Sequence, residues 1–123
     1  MNVAQVQAKL KEMLDADMHK RRGLIDRGEL FDGYHPEMED IHVRNAQILE
    51  HIIDEFGYLT PSRVGEETAK AAWTILMHAI SNPPLMKKVR DILKSPPYRD
   101  EVDPKDIAYL IDRVRVLEGK LQI

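Results

Sequence analysis

The chain has 123 residues, 43% hydrophobic and 32% charged, with a formal net charge of −3 and no cysteine. That length supports one domain over residues 1–123 with a core needing no disulfide or structural metal, and the missing cysteine excludes disulfides, thiolate zinc sites and cysteine nucleophiles. An acidic balance argues against nucleic acid as a partner, and no apolar run reaches the roughly 20 residues of a membrane span. With no signal-peptide pattern at the start, the expected place is the cytoplasm.

Helical periodicity runs from end to end, which predicts an all-α, five-helix domain. A first helix spans about Asn2 to Arg22 and stops near Gly23 or Gly28, with Val3, Val6, Leu10, Met13, Leu14, Leu24 and Ile25 on one stripe. The second follows His35 and Pro36, carries acids in its first turn, and stops at Gly57. Its stripe is Met38, Ile41, Ile48, Leu49, Ile52 and Phe56. The connector from Gly57 to Gly65 contains a Thr60-Pro61 start signal, so a tight turn with one short helical turn is expected.

A third helix, Glu66 to Ser81, is apolar over more than half its circumference and should be central. Asn82 caps a fourth that begins at Pro83 and ends at Ser95-Pro96-Pro97; the fifth starts after Asp103-Pro104 and ends near Gly119. Leu30 to Tyr34 and Pro96 to Val102 are the expected ordered loops.

Several polar residues interrupt this pattern. Asp17 and Arg21 lie near the centre of the first apolar stripe, one turn apart, where burial of either without the other would cost about 3–5 kcal/mol. The fold must therefore pair them or open a wet cleft. Asn45 sits in the middle of the second stripe, where a core asparagine usually bonds a carbonyl, and His42 lies at its edge. Glu39 and His42 form a Glu-x-x-His step, which di-metal bundles use twice. Here it occurs once and His-Glu-x-x-His is absent, so no metal and no cofactor are expected. His78 shares a narrow polar arc with Thr74, where a solvated histidine would be ordinary; Asp112 and Arg113 lie off the last helix's apolar stripe, as surface charges do.

The blocks Tyr34-His35-Pro36-Glu37-Met38 with Asn45, Gly57-Tyr58 to Val64-Gly65, Ala71-Ala72-Trp73, His78-Ala79-Ile80 and Ala108 to Arg113 resemble a family of small uncharacterised bacterial proteins with a domain of unknown function. The family pattern contains Asp-Gln-x-x-Arg, Gln-His-Ala, Ala-Tyr-Leu-x-Asp-Arg and a closing Gly-x-x-Gln-x-Tyr-Gly-Thr-Gln. The resemblance spans nearly the whole chain and implies a shared polar group of Asp17, Arg21, Asn45, His78, Asp112 and Arg113. Met18 and Met77 stand where the family has Gln, and the Tyr-Gly-Thr-Gln tail is absent. If that tail completes a pocket, the pocket here is incomplete.

The resulting expectation is a polar cleft among the first, second, third and fifth helices that takes a small anionic ligand, with hydrolytic or transfer chemistry as its extension. Arg21 and Arg113 would clamp the anion beside Asn45. His78 or His42 would act as general acid or base, oriented by Asp17 or Asp112. The alternative is a non-catalytic interaction module whose inward polar residues fix helix register, which the two Met replacements and the missing tail favour.

Overall fold

A capping box starts the first helix, α1 (Val3–Asp26): Gln5 N donates to Asn2 Oδ1 at 2.8 Å and Asn2 N to Gln5 Oε1 at 2.9 Å. This computed structural model describes residues 1–30, 34–96 and 98–121, with the side chains of 120 and 121 left out; parts of both expected loops, residues 31–33 and 97, lie outside it. Among the described residues there is no strand.

α1 runs past Gly23 and closes at Gly28, whose φ of 69° turns the chain. The added turn brings Leu24 into complete burial. Val3 and Ile25, expected on the stripe, are exposed near the helix ends. His35 caps α2 (Pro36–Phe56), its Nδ1 accepting from Glu37 N at 3.1 Å. The expected helical turn in the connector is a helix in its own right, α3 (Pro61–Val64), which raises the count from five to six.

α4 (Glu66–His78) ends three residues before the expected Ser81, because Ala79 leaves helical geometry at ψ 47° and Asn82 is already capping α5 (Pro83–Leu93). His78 is thereby the last residue of α4. A short 3-10 helix, Tyr98–Asp100, leads to α6 (Pro104–Leu121), which continues through Gly119, where nothing packs nearby to force a turn.

α4 is central as its sequence predicts: it packs against α1, α2 and α3, while α5 and α6 pair with each other. One apolar cluster joins the helices, from Val6 and Leu10 through Leu49, Ile75 and Leu76 to Leu85, Leu110 and Val114. The corner after α2 depends on Gly57. Its φ is 91°, and a Cβ there would lie 2.5 Å from Arg63 Nη1, the guanidinium that stacks on Phe56 at 4.1 Å. Gly57→Ala is therefore expected to lower stability by about 1–3 kcal/mol in urea unfolding. A change below about 0.5 kcal/mol would show that the corner tolerates a side chain.

Candidate metal centre at the junction of three helices

Three helices each deliver one side chain to a single point. Asp17 comes from the middle of α1, His42 from the second turn of α2 and His78 from the last residue of α4. His78 Nδ1 lies 2.9 Å from Asp17 Oδ2 and bonds to it, and His42 Nε2 lies 3.0 Å from the same oxygen. The side chains of Asp17, His42 and His78 are 2%, 7% and 31% exposed. The cluster thus sits in the wall of the core with one imidazole reaching out.

Neighbouring groups hold it in place. Asn45 Nδ2 donates to Met13 O at 3.1 Å, as a core asparagine was expected to do, although the acceptor belongs to a helix. In an α-helix that carbonyl also serves the N–H of Asp17. Asn45 consequently ties α2 to the turn of α1 that carries the carboxylate. On the far side of the His42 ring, Nδ1 is hydrogen-bonded to the Tyr34 hydroxyl. Tyr34 is a site residue that periodicity could not find, because it lies outside any helix; its only sequence signal was its place in the block ahead of Pro36.

The electrostatics set burial against pairing. Burial opposes a charge on Asp17, but the close approach of His42 and His78 outweighs it and holds the carboxyl well below the usual range. Tyr34 is pushed up to about 12 by desolvation of its hydroxyl and by the charges of Glu39 and Asp17, with Arg21 opposing. Within the cluster two buried atoms still have no hydrogen-bond partner, Asp17 Oδ1 and His42 Nε2; a third such atom, Arg113 Nε, lies on α6. For His42 the cause is alignment, since Nε2 is 3.0 Å from the carboxylate oxygen but its in-plane bonding direction lies off that line.

Arg21 follows Asp17 by one turn as expected, but its Nη2 stops 3.9 Å from Asp17 Oδ1 and its side chain is 40% exposed. The two are neighbours in a half-open ion pair. Asp112 and Arg113 are placed elsewhere. α6 packs chiefly on α5, Asp112 is exposed, and Arg113 Nη1 lies 3.4 Å from Tyr109 Oη on its own helix. Neither has a hydrogen bond or ion pair with Asp17, His42 or His78. Met18 is exposed and Met77 packs against the core.

Other concavities lie apart from this cluster. A cleft of about 640 Å³ runs between the N-terminal half of α1 and the corner of α3 and α4, lined by Ala4, Ala8, Leu14, Val64 and Thr68 among others. None of Asp17, His42 and His78 lines it. A second set of potential metal-ligating groups, Glu29, His35 and Glu37, is more exposed, and both acids already pair with Arg27. Among the described residues, no helix is long and apolar enough to cross a membrane.

Residues 4–123 match the model of a family described as "Family of unknown function (DUF6624)". The chain belongs to that family. No curated protein and no solved structure matches it. The cluster of Asp17, His42 and His78 therefore has to be interpreted through its own chemistry.

Proposed function

We propose that this DUF6624 chain is a metal-binding protein that holds one divalent first-row transition ion on Asp17, His42 and His78. The observation that carries this is convergence: one ligand atom from each residue, on three separate helices, all within 4.8 Å of one another. Donor atoms around a tetrahedral zinc ion with bonds of about 2.0–2.1 Å sit roughly 3.3 Å apart. The separations of 2.9 and 3.0 Å are within a few tenths of that. An ion would also engage a buried atom left without a partner, His42 Nε2.

The surroundings support the same reading. With Nδ1–H of His42 donating to Tyr34, Nε2 keeps its lone pair for an ion, which is how ligating histidines are usually fixed in tautomer and orientation. Two imidazoles and one carboxylate suit zinc, iron or nickel, and three protein ligands leave a coordination position for water or substrate. Bound there, the ion would supply Lewis-acid chemistry or an activated water. This reverses the sequence-based expectation of a metal-free protein, which rested on ligand spacing within single helices and could not register a site assembled from three.

A second reading keeps the cluster metal-free. The aligned bond from His78 to Asp17 orients the imidazole and leaves its other nitrogen for acid–base work on a bound ligand. The two separate on one experiment. Chelator-treated protein should take up one zinc ion per chain in calorimetry, and saturating zinc at about a hundred times its Kd should add about 2.7 kcal/mol of stability. Cobalt(II) should give the intense visible bands of a four-coordinate site. Both signals should be lost in His42→Gln and in His78→Gln but kept in His35→Ala, which removes the other candidate group. Zinc uptake unaffected by the His42 and His78 changes, or absent from wild type, would defeat the metal reading.

A further inference from the structure

Arg21 has an unusual position for a charged side chain on an apolar stripe. Its guanidinium lies 3.9 Å from Asp17 Oδ1, beyond hydrogen-bond reach, no other acid pairs with it, and the side chain is 40% exposed. It therefore presents a fork of N–H donors, largely unspent, beside Asp17. Lys20 and Arg27 are committed to Glu37. Glu39, whose charge also reaches Tyr34, is exposed and takes the Ser81 hydroxyl at 3.1 Å.

Charge balance gives that position meaning. Among the groups bonded or ion-paired in the cluster, Asp17 is the sole acid, and Arg21 already cancels its charge. Neutral imidazoles add nothing, so the charge of a divalent ion on Asp17, His42 and His78 is left uncompensated. An anion bound at the open metal position beside Arg21 would offset that charge. Its own geometry must suit both an open metal position and a guanidinium fork, which is the geometry of an oxyanion.

We propose that the site's ligand is a small oxyanion, a phosphate or carboxylate group, held jointly by the ion and by Arg21. This inference rests on the metal reading above and narrows its substrate class to anionic molecules that present such a group. Arg21 acts here as a binding residue, and Asp17 serves only as a metal ligand.

The test uses full-length protein loaded with one equivalent of zinc and titrated with inorganic phosphate, then with acetate, by calorimetry. Wild type should bind phosphate. Arg21→Ala should weaken phosphate by about tenfold or more, as expected for losing hydrogen bonds to a charged group, while zinc affinity changes less than threefold. Arg21→Lys should retain part of the affinity, and Lys94→Ala, on a remote surface, all of it. Circular dichroism establishes that each variant is folded. Equal phosphate affinity in wild type and Arg21→Ala overturns the proposal, as does zinc-loaded wild type that binds neither anion; in both cases the metal site itself stands. Phosphate binding that is equally tight without zinc also overturns it, by removing the ion from the site. Failure of zinc to bind at all would instead defeat the underlying metal reading.

Discussion

Asp17→Ala is expected to destabilise the metal-free protein by about 2–4 kcal/mol in urea unfolding at neutral pH. His78 Nδ1 loses its acceptor, and His42 Nε2, buried 3.0 Å from the same oxygen, loses the carboxylate beside it and cannot replace it with water. His78 and Arg21 are exposed enough to be rehydrated, which limits the total. The pH dependence carries a sign that identifies the group. Because the native carboxyl of Asp17 is held below its unfolded value, its contribution to stability is complete above about pH 3.9 and is lost as pH falls through the depressed native value. Asp17→Asn lacks that titration, so the gap between wild type and this variant should narrow as pH drops below about 4. A gap that stays constant down to pH 2.5 would mean that Asp17 is not ionised and paired in the native protein.

The sequence displayed half of this site for a physical reason. Asp17 and Asn45 break the 3.6-residue period at its most apolar point, and a buried polar group on a core stripe must find a partner, so helical phase alone marks them. Arg21 breaks the same stripe, yet it is only half covered; its long side chain can lift its charged end to water while its stem stays on the apolar surface. His78 could not be distinguished by phase. It lies on the polar arc of its helix, and what turns it inward is the end of α4 at Ala79 and a partner 61 residues earlier in the chain. Asp112 and Arg113 show the opposite limit. The family resemblance grouped them with Asp17, but neither bonds to Asp17, His42 or His78, which come from α1, α2 and α4. Helix ends were legible wherever proline and a cap coincide, as at Pro36 and Pro83; the first helix takes the later of its two expected stops, at Gly28, and the end expected near Gly119 was misplaced, where glycine sits inside a helix with open space around it.

The largest loss should come from the helix that carries His78. Leu76 is fully buried on the inner side of α4, within the cluster that joins that helix to α1 and α2. Leu76→Ala removes several methyl and methylene groups from a site walled by three packed helices, so little collapse can refill the space, and the expected cost is about 2–5 kcal/mol. The effect on the metal centre should differ from the effect on stability. Leu76 supplies no ligand atom, so well below its lowered melting temperature the variant should still bind one zinc ion, and saturating zinc should raise its stability by an increment close to that of wild type. The geometry adds one refinement. His78 lies two residues further along the same helix, so any sag of α4 into the cavity would shift its imidazole relative to Asp17 and weaken zinc binding in proportion. Urea unfolding with and without zinc measures both quantities on the same samples. A stability loss under about 1 kcal/mol would show that α4 is not packed as the central helix, and a complete loss of zinc binding from a folded variant would show that the ligand geometry depends on core packing more tightly than three separate anchors allow.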